Sequence, residues 1–189
     1  MGLLGPNYGL GWGLFNHRGY TEIGHGGSFI NGYTANFVRF PEKHLAVIVL
    51  TNLNPTNVSW ISYNIAGFYF PELKGIDQLT AEQNADTSLN TKVYDLLHGL
   101  GNDNLDTSLV TTSFKQRINP ITQIIFKPET GSKLELHFVH TDRITNKTLT
   151  RYGAKVEKIN YYKIKMRGET HYLAIYFTPD DRIADMRGY

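Results

Sequence analysis

Between Tyr8 and Phe15 glycine alternates with bulky residues, Gly9, Gly11 and Gly13 interleaving with Leu10, Trp12 and Leu14. A period of two belongs to an extended strand, with large apolar groups on one face and bare backbone on the other. Such a strand packs closely on its neighbour. The spacing of these glycines is not that of a dinucleotide-binding loop, and no helix follows them. Asn16-His17-Arg18-Gly19 supplies a turn, and Tyr20 to Gly24 returns along the first strand. Tyr33 to Phe40 reads as another strand from its aromatic and alternating apolar content. Pro41-Glu42-Lys43-His44 turns the chain into Leu45 to Leu50, a continuous apolar run that predicts a strand buried on both faces. Thr56 or Asn57 then caps a helix whose expected apolar side is Val58, Ile61, Ile65 and Phe68, closed by Pro71.

The chemistry of the chain changes near Lys74. Up to that residue there are four basic and three acidic side chains, eleven of the 18 glycines and both tryptophans; the other fifteen basic and fourteen acidic residues come after it. A boundary between folding units around Gly75 follows, giving residues 1–74 and 75–189 as two domains. The second half opens on Thr80-Ala81-Glu82-Gln83, a capping-box pattern, followed by a helical face of Val93, Leu96, Leu97 and Leu100. A short helix is expected between Leu105 and Phe114. Strands are expected at Thr122 to Phe126, Leu134 to Val139, Ile159 to Met166 and His171 to Phe177. Helices first and antiparallel strands afterwards make an α+β unit.

Several function classes fall away. Nineteen basic against seventeen acidic residues leave a net charge of +2, far from the concentrated positive charge that nucleic acid needs. No run of residues is long and apolar enough to span a membrane. Cysteine is absent, which removes disulfides, thiolate metal sites and a cysteine nucleophile together. Residues 1–6 lack the basic start and long apolar stretch of a signal peptide. His137 and His140, three apart on a strand, are expected on opposite faces, which disfavours a shared metal. Tyr161, Tyr162, Tyr172 and Tyr176 interleave with Lys163 and Lys165, a pattern that RNA can use but that a half-exposed sheet core explains better.

The densest chemical signal is Gly24-His25-Gly26-Gly27-Ser28. Taken locally it reads as a glycine-rich turn with a surface histidine. Taken as a strand, it is an edge on which a ligand backbone can lie, with the Ser28 N–H available to a developing oxyanion and His25 beside it. The wider succession carries more: Tyr8-Gly-Leu-Gly-Trp-Gly13, then Gly24-His-Gly-Gly27, then Phe37-Val-Arg-Phe-Pro-Glu-Lys-His-Leu-Ala-Val-Ile-Val-Leu-Thr-Asn52. Residues 7 to 73 resemble the carboxy-terminal end of the serine β-lactamase and penicillin-binding-protein-like hydrolases, especially class C β-lactamases and related esterases and D-aminopeptidases. In that family a Lys-Thr-Gly or His-x-Gly motif lies on the strand beside the active site. The resemblance places His25, Gly27 and Ser28 in that third motif and oxyanion N–H, and Gly26, Phe29 and Asn31 along the substrate side. It implies hydrolysis of a small amide or ester, a peptide or β-lactam among them, through an acyl-serine and without a cofactor.

The family nucleophile, Ser-x-x-Lys, and its Tyr-x-Asn partner are both absent from this sequence; Thr112-Ser113-Phe114-Lys115 is the nearest imitation. Acyl transfer needs nucleophile and base together, so the chain is expected to be inactive alone. Tyr161 to Asp185 resembles the last hairpin of NTF2-like or SnoaL-like domains, which implies an accessory domain in a bacterial hydrolase. The expected fold is thus α+β: an antiparallel sheet with a terminal helix, part of a β-lactamase-like fold, plus a small NTF2-like domain. An exposed sheet edge and apolar face predict a homo-oligomer. The alternative function is a non-catalytic binding or assembly module built on the second domain. A periplasmic or secreted location is expected where an upstream signal accompanies the parent hydrolase.

Overall fold

The structure, a computed structural model, describes residues 8–29, 32–54, 56–83, 86–118, 126–127, 134–144, 150–151, 153–166 and 168–188. The chain divides into two compact units, residues 1–78 and 79–189.

The first unit is an antiparallel meander of β1 (Tyr8–Gly9), β2 (Trp12–His17), β3 (Tyr20–Phe29), β4 (Tyr33–Phe40) and β5 (Leu45–Thr51), laid side by side in chain order. The single strand expected from Tyr8 to Phe15 is broken. Leu10 and Gly11 have φ of 52° and 82° and form a two-residue hairpin turn, so Gly9 faces Trp12. The turn hides in the sequence because leucine rarely takes a left-handed backbone. Arg18 and Gly19, at 53° and 83°, make the same kind of turn between β2 and β3, and the Asn16 carboxamide oxygen accepts from the Gly19 N–H at 3.1 Å.

Helix α1 (Val58–Tyr69) starts on Asn57, whose side chain accepts from the Trp60 N–H at 2.9 Å. It covers the sheet face that carries Val38, Phe40, Val47 and Val49, all buried. The helix face turned inward is not the expected one. Ser62, Tyr63, Ala66 and Gly67 are buried, whereas Ile65 and Phe68 are exposed, Phe68 to 91%. Small residues let the backbone come close, and the polar ones are matched. Ser62 Oγ accepts from Asn36 Nδ2 at 2.9 Å and donates to the Val58 carbonyl at 2.8 Å. The Tyr63 hydroxyl donates to Glu22 Oε2 at 3.0 Å, and its ring stacks on His17 with centroids 3.9 Å apart. His17, fully buried, donates from Nε2 to the Leu73 carbonyl at 2.9 Å. Buried polar groups are tolerated when paired in this way.

β5 is not buried on both faces. Val47 and Val49 lie under α1, but Ile48 and Leu50 are 61% and 77% exposed. Among the described residues one face of the sheet is covered and the other is open, carrying Trp12, Leu14, Ile48 and Leu50.

In the second unit α2 (Thr87–Gly101) begins at Asp86, whose carboxylate accepts from the Leu89 N–H, and not at Thr80. The cap belongs just ahead of the first buried leucine, Leu89; the Glu82 N–H goes instead to the Val139 carbonyl. The expected single helix from Leu105 to Phe114 is two pieces, a 3-10 turn at Thr107–Leu109 and α3 (Thr112–Lys115), separated by Val110, which bridges to Ile183. The strands β6 (Glu135–Arg143), β9 (Lys158–Met166), β10 (Glu169–Phe177) and β11 (Ile183–Gly188) form an antiparallel sheet in the order β11-β10-β9-β6, and β7 (Thr150–Arg151) pairs with β8 (Ala154–Lys155). Of the strand expected at Thr122 to Phe126, residues 122–125 lie outside the described residues, and Phe126 is buried in the core without being in a strand.

Leu89, Val93, Leu96, Leu97 and Leu100 of α2 join Tyr162, Ile164, Leu173, Ile175 and Phe177 in one core. Tyr161, Tyr162 and Tyr176 are buried while Lys163 and Lys165 are exposed, so these tyrosines are core residues. On the sheet face away from α2, Arg151 lies 4.3 Å over the Tyr176 ring, donates to its hydroxyl at 2.9 Å, and sits 3.5 Å from Asp185. Burial pushes the Asp185 carboxyl up, and the Arg151 charge opposes that shift.

Tyr162 gives this unit a pH dependence. Burial pushes its hydroxyl from 10.0 up to about 12, while the hydrogen bond from Asn160 acts in the opposite direction. Between these values the unfolded chain has lost the proton and the folded unit retains it, so stability falls as pH rises. The loss approaches about 2–3 kcal/mol at the alkaline end. Denaturant melts of the second unit from pH 9 to pH 12 should show that slope, and Tyr162→Phe should flatten it.

Candidate functional site

The phase of β3 decides which of its groups face outward. Across a two-residue hairpin the flanking residues form a hydrogen-bonded pair, and such pairs recur at every second position. The Arg18–Gly19 turn therefore makes His17–Tyr20 a bonded pair, followed by Phe15–Glu22 and Gly13–Gly24. Even-numbered residues of β3 aim N–H and C=O toward β2, and odd-numbered ones toward β4. The Thr21 N–H, on the β4 side, is taken by Glu42 Oε1 at 3.1 Å, in keeping with that phase. β2 ends at the Leu10–Gly11 turn, whereas β3 runs on to Phe29. The main-chain groups of Gly26 and Ser28 consequently project from an edge that no strand among the described residues covers.

Gly24-His25-Gly26-Gly27-Ser28 is thus strand and not turn. Gly24 is needed for packing, since a Cβ there would lie 2.6 Å from the Phe37 carbonyl oxygen. Gly26 and Gly27 are not: a Cβ at Gly26 would make ordinary contact with Ala35 O at 3.5 Å, and at Gly27 it would meet nothing within 4 Å. Their bareness leaves room on the solvent side. Ser28 is exposed opposite Thr34, and Phe29 opposite Tyr33 makes a pair of exposed aromatics. Between Gly27, Phe29, Ala35 and Leu50 lies an open depression of about 450 Å³. Asn31 lies outside the described residues.

His25 is held at both ring nitrogens. Nδ1 is 2.7 Å from the Gly26 carbonyl oxygen, and Nε2 is 2.8 Å from the Tyr8 hydroxyl, with the two rings edge to face at 5.7 Å. Tyr8 is a site residue that composition and spacing do not single out. It reaches His25 because of the unforeseen Leu10–Gly11 turn, which sets Tyr8 opposite Gly13.

In the second unit the expectation for His137 and His140 is overturned. β6 has a bulge at Val139, so His137 pairs with Lys163 and His140 with Tyr161, two positions apart on β9. Both histidines therefore share a face. His140 is engaged by carboxylates, Nδ1 by Glu82 at 2.7 Å and Nε2 by Asp142 at 3.1 Å. No group of three or more histidine and carboxylate side chains suited to a metal occurs among the described residues. No helix among them is long and apolar enough to cross a membrane.

No curated protein and no solved structure matches the chain. Residues 2–68 match the family model described as Beta-lactamase, a segment that takes in β1 to β5, the candidate edge and most of α1. The match supports a serine β-lactamase or penicillin-binding-protein-like region in the first unit, and with it a relationship to a family of hydrolases.

Proposed function

We propose that the first unit is the carboxy-terminal part of a β-lactamase-related serine hydrolase domain of the His-x-Gly type. The observation that carries this reading is the coincidence of the matched segment with an open strand edge bearing His25-Gly26-Gly27-Ser28. On that edge the Ser28 N–H points outward, where it can donate to the oxyanion of a tetrahedral intermediate. The Gly26 N–H points the same way and can bind a substrate carbonyl. His25, Gly27 and Ser28 form the third motif of the site, and Gly26 and Phe29, with Asn31, its substrate side. The substrate is a small amide or ester. The acyl-serine forms on a nucleophile from a segment with Ser-x-x-Lys and Tyr-x-Asn, neither of which occurs in this sequence. The second unit is an NTF2-like accessory domain.

The purified chain alone should neither turn over a chromogenic β-lactam or p-nitrophenyl ester nor form an adduct with a fluorophosphonate or penicillin probe. A stoichiometric adduct by intact mass would contradict this reading. An in-frame genomic sequence upstream of Met1 that encodes Ser-x-x-Lys and Tyr-x-Asn would support it.

The open apolar face favours a second reading, a non-catalytic assembly module. Trp12, Leu14, Ile48 and Leu50 are too apolar a surface for an isolated chain in water, so the chain should form a two-fold dimer. Light scattering over a concentration series should give a dimer, with Ile48→Asp and Leu50→Asp shifting it to monomer without loss of fold. A wild-type monomer at micromolar concentration would contradict that assembly.

A further inference from the structure

The hydrogen bonds around His25 fix more than its position. A carbonyl oxygen can only accept, so the contact between Nδ1 and Gly26 O at 2.7 Å requires the proton on Nδ1. In the neutral ring Nε2 is then a bare acceptor, and the Tyr8 hydroxyl 2.8 Å away must be its donor. We propose that Tyr8 is the positioning residue of the candidate site: its O–H holds His25 in the Nδ1–H tautomer, and that tautomer in turn caps the Gly26 carbonyl on the open edge of β3. The use of this arrangement in hydrolysis rests on the reading above; the arrangement itself does not.

Two consequences follow for a ligand on the edge. The Gly26 carbonyl already has a donor, so the edge offers N–H groups of Gly26 and Ser28 in preference to acceptors. That favours ligand groups rich in acceptors, such as a carbonyl or a carboxylate. With both ring nitrogens engaged, neutral His25 presents no nitrogen of its own, and its role is to shape the edge. Proton exchange with a ligand would first require the Tyr8 contact to open. The same ring state would be lost if Tyr8 were carried elsewhere, which ties the β1–β2 hairpin, and the strained Leu10 at its tip, to the state of His25.

The test is the tautomer. The full-length chain labelled with 15N is examined by long-range 1H–15N correlation of the imidazole over a pH series, with His25→Gln to assign the signals. The neutral wild-type ring should show a protonated Nδ1 and a pyridine-like Nε2. Tyr8→Phe keeps the aromatic ring and removes only the hydroxyl, so the ratio of Nδ1–H to Nε2–H forms should fall by about 2- to 10-fold, the worth of one ordinary hydrogen bond. Amide signals of Gly24 and Gly27 that stay in place report that the strand is intact. An Nε2–H ring in the wild type would overturn the proposal, whether or not the variant folds. So would an unchanged ratio in a folded Tyr8→Phe chain. Neither outcome depends on hydrolysis. An Nδ1–H ring in a chain whose gene carries no upstream Ser-x-x-Lys would leave this proposal standing and remove the hydrolase reading.

Discussion

The phase of β3 is the constraint from which the first unit takes its form. Two left-handed residues at Arg18 and Gly19 set which main-chain groups of the strand look toward β2 and which toward β4. Every later feature inherits that choice. Glu22 is placed under α1 to receive the Tyr63 hydroxyl, Gly24 lies against Gly13, and Gly26 and Ser28 turn outward where β2 has ended. A slip of one residue would move each side chain to the opposite face and turn the N–H of Ser28 inward.

The same phase explains why the sheet has two unlike faces. The face with Val38, Phe40, Val47 and Val49 receives α1 through a polar contact, in which Asn36 meets Ser62 and the stacked pair of His17 and Tyr63 reaches Glu22 and the Leu73 carbonyl. Trp60 is fixed from outside by Asp77 at 2.7 Å. The other face keeps its leucines and isoleucine in solvent. A helix that turns its serine and glycine inward and its phenylalanine outward carries apolar surface on its far side too.

Much of this is legible in the sequence, and the failures have physical causes. Strands β4 and β5 follow from their apolar pattern. The composition of Gly24 to Ser28 reads locally as a turn, and only the wider succession of motifs points to the strand that β3 forms there. What misleads is the assumption that apolar residues of an element face its core. The period of Val58, Ile61, Ile65 and Phe68 is real, yet the buried stripe is Ser62, Tyr63, Ala66 and Gly67, because their partners on the sheet are polar and close. Leu45 to Leu50 gives no alternation to read, since both faces carry aliphatic groups. Leu10 conceals a turn because its left-handed backbone is uncommon for leucine, and with the turn goes the link between Tyr8 and His25. In the second unit the bulge at Val139 shifts His140 by one position, something no periodicity can reveal. His25 and Ser28 are legible as candidates; the partners that orient them depend on the turns.

Amide hydrogen exchange along β3 tests the central claim most directly, because that claim is an alternation. His25 and Gly27 aim their N–H groups at β4 and should be protected, whereas Gly26 and Ser28 aim theirs at the open edge and should exchange far faster. With Gly24 still covered by β2, residue-resolved exchange by NMR should therefore rise and fall with every residue from His25 to Phe29. Uniform protection across Gly26, Gly27 and Ser28 would mean that the edge is covered, and that the strand is not a site where a ligand can dock.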